Sequence, residues 1–203
     1  MGEYLGLFIS IWVKFYFLAT PFFALSMFLT LTKGIEDAER HKLAGQITIA
    51  ITVIALGMFF FGSLVFKLFG ITLDAFRVGG GILLFISAVQ LTQSKTSEPS
   101  SYKDEDITVV PMAMPVVIGP ATIAALMVFG ADLPSITEKI IGCCALICSI
   151  LSVGLTLLLG SSIKRGLGKK GLNVLSKTTG LILAALAAQM VLVGVKNAMG
   201  DAP

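Results

Sequence analysis

The chain has 203 residues, of which 56% are hydrophobic and only 13% are charged, and its formal net charge at pH 7 is +3. A soluble domain carries about 25% charged residues, so this composition excludes an ordinary water-soluble protein and indicates a membrane protein. The small, scattered excess of positive charge also gives no basis for a nucleic-acid partner, which requires a basic patch or stripe.

Six hydrophobic stretches predict six transmembrane helices, because a helix needs about 20 apolar residues to cross a bilayer. In chain order they lie at 8–31, 45–69, 78–92, 107–129, 140–160 and 178–195. The first stretch follows neither a basic segment nor an A-x-A-like cleavage site, so we expect a retained helix and not a signal peptide. The expected fold class is therefore an all-α membrane protein embedded in the lipid bilayer.

A linker-like segment rich in Ser, Thr and Lys separates the third stretch from the fourth. We predict a first three-helix repeat at 1–93, a cytoplasmic linker at 94–106 and a second three-helix repeat at 107–203. Because each half contains an odd number of crossings, the second half must enter the membrane upside down relative to the first.

The two halves also resemble each other weakly in sequence. Pro21 corresponds to either Pro115 or Pro120, and the GILL segment that begins at Gly81 corresponds to the GLIL segment that begins at Gly180. Biased composition alone can produce such a similarity, but its form is that of an inverted-topology repeat. We therefore expect two inverted repeats of three helices.

Lys and Arg residues predict the orientation, since cytoplasmic loops are enriched in both. The first, third and fifth loops hold ten of them: Lys33, Arg40, Lys42, Lys95, Lys103, Lys164, Arg165, Lys169, Lys170 and Lys177. The opposite face holds four: Lys67, Arg77, Lys139 and Lys196. We predict a multi-pass protein of the cytoplasmic (inner) membrane with both termini outside.

Proline lies in the middle of the first and fourth stretches, as Thr20-Pro21 and Gly119-Pro120. Proline has no N–H and clashes with the preceding helical turn. In lipid, a helix broken in this way is tolerated only where protein or a water-filled cavity satisfies the freed backbone groups. We predict that helices 1 and 4 are broken near the membrane midplane. A simple kink is the alternative, because proline is common in membrane helices.

A half-helix that begins at each proline would direct free N–H groups and a positive helix end toward the midplane, which favours a carboxylate. We expect Thr20 to cap the first of these helices. Carbonyls freed upstream, at Phe17, Pro111 and Val116, suit an ammonium group or sodium. This combination predicts a zwitterion site at Thr20, Pro21, Phe22, Phe23, Ala24, Pro115, Val116, Gly119, Pro120, Ala121 and Thr122.

Other polar and small residues receive structural interpretations. Asp74 and Arg77 are expected to form an ion pair, and the glycines at 79–81 to allow close helix packing. The membrane region offers no nucleophile–base pair and no cluster of metal ligands, so we expect neither an enzyme nor a cofactor. The missing mid-membrane acid favours sodium or exchange over a proton relay, although proton coupling stays open, as does a homo-oligomer.

Three segments resemble the MarC family of integral membrane proteins: residues 18–29 (LATPFFALSMFL), 74–84 (DAFRVGGGILL) and 110–122 (VPMAMPVVIGPAT). The chain departs from the family pattern where Thr20-Pro21 replaces Asn-Pro and where Ala121 replaces the last residue of Gly-Pro-Gly. The resemblance implies a six-helix inner-membrane protein, and its SnatA-type members transport small neutral amino acids such as glycine and alanine. The alternatives are a non-transporting scaffold or assembly protein, and an exporter of another small solute or of lipid.

Overall fold

The computed structural model describes residues 2–93 and 118–200, and these residues form helices and short connections without any strand. The prediction of an all-α protein is confirmed for them. In chain order the described helices are α1 (Gly2–Leu18), α2 (Pro21–Leu31), α3 (Asp37–Phe69), α4 (Leu73–Gln93), α5 (Pro120–Asp132), α6 (Ile136–Leu158) and α7 (Gly160–Gly200). Helix α7 contains an interruption at Gly168, whose φ of 63° and ψ of 178° are not helical.

Five described segments are long and apolar enough to cross a membrane: Tyr4–Leu31, Asp37–Gly62, Leu73–Gln93, Ile136–Leu158 and Lys170–Gly200. The protein is therefore an integral membrane protein with several apolar spans. Helix α5 has 13 residues, which give a length of about 20 Å and do not cross a hydrocarbon core of about 30 Å alone. The predicted linker at 94–106 and the first part of the fourth stretch lie outside the described residues.

The helices extend beyond the predicted hydrophobic stretches. Helix α3 begins at Asp37 and not near residue 45, and α4 begins at Leu73 and not at residue 78. Hydropathy marks the part of a helix that contacts hydrocarbon, whereas charged first turns continue the same hydrogen-bond ladder into the interface. The predicted boundaries were wrong at these ends for that reason.

Polar contacts join the helix ends at two opposite faces of the bundle. At the face that we call the terminal face, Asn197 near the end of α7 donates to the Asp74 carboxylate at the start of α4 at 3.1 Å. At the other, the loop face, the Arg40 guanidinium near the start of α3 donates to the Ser161 hydroxyl at the start of α7 at 2.9 Å. Helices α4 and α7 therefore run antiparallel, and they share the most extensive helix–helix contact.

Glycines allow this close contact between α4 and α7. A Cβ added at Gly81 would lie 2.7 Å from Val191 Cγ2 and 3.1 Å from the Ala187 carbonyl oxygen. Gly80 packs in the same way against α5, because a Cβ there would lie 2.8 Å from Ala124 Cβ. The prediction of close packing is confirmed at these two positions, whereas Gly79 has no such neighbour within 4 Å.

The contact at Gly81 is repeated at Gly180, on the other helix of the pair. A Cβ added at Gly180 would lie 2.7 Å from Thr92 Cγ2 and 3.1 Å from the Ala88 carbonyl oxygen. Each residue of one contact has its counterpart 99 residues away in the other: Gly81 and Gly180, Ala88 and Ala187, Thr92 and Val191.

Helix starts repeat at the same distance along the chain. Helix α2 begins at Pro21 and α5 at Pro120, which are 99 residues apart. Helix α3 begins at Asp37 and α6 at Ile136, again 99 residues apart. The residue before each of this second pair is extended, and Ser135 adds a capping box in which Glu138 N–H donates to its hydroxyl. In the described parts of the two halves, two helices begin at equivalent positions, and the glycine contact is repeated at equivalent residues.

Candidate functional site

The first hydrophobic stretch is interrupted where its proline predicts a break. Helix α1 ends at Leu18 and α2 begins at Pro21, with Pro21 in the first helical position. Between them, Thr20 adopts the left-handed conformation with φ 46° and ψ 56°. A left-handed residue reverses the local backbone direction, so the two helices cannot form one continuous hydrogen-bond ladder.

Two backbone details differ from the prediction. The Thr20 hydroxyl makes no cap hydrogen bond, because side-chain capping requires an extended N-cap residue and Thr20 is left-handed. The predicted free carbonyl of Phe17 accepts the Thr20 N–H at 3.0 Å, as the chain tightens at the end of α1. The predictions of a threonine cap and of a freed Phe17 carbonyl were therefore wrong.

The second proline also begins a helix. Gly119 is extended, with φ −79° and ψ 173°, and α5 starts at Pro120. The Gly119 carbonyl accepts the first bond of α5, from Ile123 N–H at 3.0 Å. The preceding candidates Pro111, Pro115 and Val116 lie outside the described residues, so the predicted break upstream of Gly119 stays a prediction.

The described candidate residues differ in their burial. Ala24 and Ala121 are buried, at 0% and 5% exposure, so their small side chains allow neighbouring helices to approach. Pro21 is also buried, Pro120 is exposed, and the half-buried candidates are Thr20, Phe22, Phe23, Gly119 and Thr122. Residues on both sides of each proline are therefore partly exposed or small.

Helices α2 and α5 point in opposite directions across the bundle. Helix α2 ends on the side of the loop face, before Thr32, whereas α5 ends at the terminal face, where Asp132 contacts Arg77. The two are not packed along each other: α2 contacts α6 and α7, whereas α5 contacts α3 and α4. Each start presents first-turn N–H groups that have no acceptor within the helix, and with them the positive end of the helix dipole.

An ion-pair cluster joins α4 and α5 at the terminal face. Arg77 is a buried residue, 7% exposed, and its guanidinium donates to Asp74 at 2.6 Å and to Asp132 at the end of α5. The predicted pair of Asp74 and Arg77 is confirmed. Asp132 was not predicted as a partner, although an acidic residue directly after an apolar stretch is a signal for such a pair.

A cavity of 170 Å³ lies beside this cluster, between α1, α3 and α5. Its walls combine aliphatic and aromatic side chains with one cationic and one anionic residue: Leu7, Ile11, Lys14, Phe15, Phe59, Phe129, Asp132 and Leu133. The Lys14 ammonium lies 5.7 Å from the centroid of the Phe129 ring, a cation–π distance.

Hydrogen bonds between side chains hold α1 against α6. The Trp12 indole N–H donates to the Ser152 hydroxyl at 3.3 Å, and the Tyr16 and Thr156 hydroxyls lie 3.3 Å apart. Polar contacts of this kind join helices in an apolar environment. They fix the half of the broken first stretch that precedes Thr20.

The family model described as MarC family integral membrane protein matches residues 5–199. The chain belongs to the MarC family. It is 32% identical over 199 residues to the UPF0056 membrane protein MJ1677 of Methanocaldococcus jannaschii. The aligned residues cover 95% of this chain and 97% of that protein. It is 34% identical over 204 residues to the UPF0056 membrane protein YvbG of Bacillus subtilis. The aligned residues cover 93% of this chain and 94% of that protein.

Membership in the MarC family confirms the resemblance predicted from residues 18–29, 74–84 and 110–122. No solved structure matches the chain. Both MarC-family relatives are named only as membrane proteins.

Proposed function

We propose that this MarC-family protein is a secondary transporter of small neutral amino acids such as glycine and alanine, which it moves across the cytoplasmic membrane by alternating access. The observation that carries the proposal is the pair of helix starts at Pro21 and Pro120. They lie 99 residues apart in two apolar stretches and belong to antiparallel helices. Short half-helices of this kind bind substrates in several transporter folds.

An inverted repeat is part of the proposal. The equal spacing of the helix starts and the repeated glycine contact support two inverted halves, at 1–93 and 107–203, joined by the linker 94–106. An antiparallel pair whose contacts at Gly81 and Gly180 are interchangeable is what a twofold axis in the membrane plane produces. In this arrangement each half supplies one half-helix and three membrane crossings, which makes six crossings in total.

The proposed substrate is a zwitterion because the helix starts offer backbone groups and no charged side chain. First-turn N–H groups of Phe22, Phe23, Ala121 and Thr122 favour the carboxylate. Carbonyls around the breaks favour the ammonium group or a coupling sodium ion, with proton coupling as the alternative. The bulky Phe22 and Phe23 restrict the substrate side chain, which favours glycine and alanine. No enzymatic step and no cofactor are part of this proposal.

For the orientation we propose that the loop face lies in the cytoplasm and both termini outside. The described Lys and Arg residues at the loop face support it, among them Lys33, Arg40 and Lys164. A reporter that is active only in the cytoplasm is expected to be inactive when it is fused to the C-terminus. Strong cytoplasmic activity there would reverse the orientation.

Counterflow of labelled alanine and glycine into proteoliposomes tests the transport function. The parent protein is expected to exchange both amino acids. The variant Pro120→Ala restores an N–H and permits a continuous helix, so it is expected to weaken substrate affinity. The loss of one hydrogen bond to a charged group corresponds to a roughly ten- to hundredfold rise in KM.

The matched control is Pro134→Ala, because Pro134 is an exposed proline in the connection between α5 and α6. This variant is expected to retain the parent KM. The absence of counterflow with any small amino acid from folded parent protein would favour a membrane scaffold or assembly protein. Exchange of a different cargo alone would identify an exporter of another solute. Imposed sodium and proton gradients in the same vesicles identify the coupling ion.

A further inference from the structure

The cavity between α1, α3 and α5 is separate from the helix starts. Its wall residue Phe129 lies nine residues along α5 from Pro120, a distance of about 13 Å at the helical rise of 1.5 Å per residue. On α1 the cavity is lined by residues that precede the break at Thr20, from Leu7 to Phe15. It therefore lies nearer to the terminal face than the two prolines do.

Two opposite charges line this cavity without neutralising each other. Within the described part of the chain, the Lys14 ammonium forms no ion pair. It lies over the Phe129 ring instead. Asp132 uses its Oδ1 atom for Arg77, and its side chain remains 46% exposed. Phe15, Phe59 and Phe129 line the same space, so the two charged side chains belong to a mainly apolar lining.

The volume and the charges together select the class of ligand. A single water needs only about 10–15 Å³ by this measure, so 170 Å³ accommodates a small organic molecule. A simple anion would be attracted by Lys14 but repelled by Asp132. A simple cation would be attracted by Asp132 but repelled by Lys14. A molecule that carries a carboxylate and an ammonium group a few ångströms apart satisfies both side chains at once.

We propose that this cavity is an entry site that binds a small zwitterionic amino acid before it reaches the helix starts. Lys14 binds the substrate carboxylate, Asp132 binds the ammonium group, and the phenylalanine rings contact a short apolar side chain. The proposal rests on the transport function proposed above and adds a second binding position to it. Arg77 acts as a positioning residue, because its contact with Asp132 fixes that carboxylate at the rim of the cavity.

The test compares charge variants of the two residues in the full-length protein. In alanine counterflow, Lys14→Met and Asp132→Asn are each expected to raise KM by about tenfold, the effect of losing one hydrogen bond to a charged group. The maximum rate is expected to stay near that of the parent, because saturating alanine restores occupancy of the entry site. Lys14→Arg keeps the positive charge and is expected to keep KM within about threefold of the parent.

Asp74→Asn is the matched control for Asp132→Asn. Asp74 is the other carboxylate that contacts Arg77, but it does not line the cavity. Its replacement is expected to leave KM unchanged. A rise in KM for Asp74→Asn as large as that for Asp132→Asn would assign the effect to the Arg77 cluster and not to the cavity. Equilibrium binding of labelled alanine to the purified protein provides a second readout.

The outcomes separate the entry site from the transport function. If the parent carries alanine and both charge variants retain its KM, the entry site is wrong and the transport function stands. A rise in KM for Lys14→Met alone would indicate an anion site and overturn the zwitterion assignment. A parent that neither carries nor binds alanine would overturn both proposals.

Discussion

Replacing Gly130 with alanine is expected to destabilise the protein by at least about 3 kcal/mol, at the upper end of the usual cost of overpacking. A Cβ added at Gly130 would lie 2.9 Å from the carbonyl carbon and 3.2 Å from the Cα atom of Phe59. Both atoms belong to the backbone of α3, so no side-chain rotation relieves the clash. The two helices would have to separate along their whole contact, which also includes Gly62 against Met127.

Gly57→Ala is the matched control for this replacement. Gly57 is also a helical glycine of α3, but a Cβ added there would meet no atom within 4 Å. Alanine has the higher helix propensity, so this variant is expected to gain up to about 1 kcal/mol. The free energy of unfolding is measured by titration with dodecyl sulfate in mixed micelles. Equal stabilities of the two variants would contradict the close approach of α3 and α5.

Replacing Arg77 with methionine is expected to cost about 1–3 kcal/mol, because the two carboxylates that lose their cation are partly exposed and solvent compensates part of the loss. The Arg77 side chain is 8% exposed and contacts Asp74 on its own helix and Asp132 at the end of α5. Methionine fills much of the same volume but leaves two carboxylates without their cation. The same unfolding titration measures the loss.

A second replacement separates the ion pair from the loss of packing. In the Arg77→Met background, Asp132→Asn removes an unpaired charge, so it is expected to restore part of the lost stability, although it is destabilising in the parent. Such non-additivity is the signature of a direct interaction. Lys67→Met is the control, because Lys67 is an exposed cation at the end of α3. Additive effects of the Arg77 and Asp132 replacements would contradict the pairing.

The parts of the fold that depend on local chemistry could be predicted from sequence. Hydrophobic stretches identified the five long spans among the described residues, because the bilayer requires about 20 apolar residues from each helix. The starts of α2 and α5 were predictable because proline constrains its own backbone wherever the rest of the chain lies. The glycines at 80 and 81 likewise indicated close packing before any partner was known.

The parts that depend on distant partners could not be predicted. Asp132 and Arg77 are 55 residues apart, and nothing near either residue specifies the other. The pairs Gly81 and Gly180, and Pro21 and Pro120, already have the 99-residue spacing in the sequence. The equivalence of Thr92 and Val191 was hidden, because they differ in chemistry and share only a β-branched shape. The left-handed conformation of Thr20 was unexpected as well, because a β-branched residue disfavours it.

Thr20 and Gly119 occupy equivalent positions before the two prolines, yet their backbones differ: Thr20 is left-handed and Gly119 is extended. Glycine adopts positive φ without strain and threonine favours extended backbone. Each of the two positions therefore holds the residue type that would suit the other position better. For an L-residue with a Cβ atom the left-handed conformation costs roughly 1–2 kcal/mol. The break before Pro21 therefore holds local backbone strain that the break before Pro120 lacks. The two breaks are equivalent in position but not in conformational energy, and glycine in place of Thr20 would remove the difference.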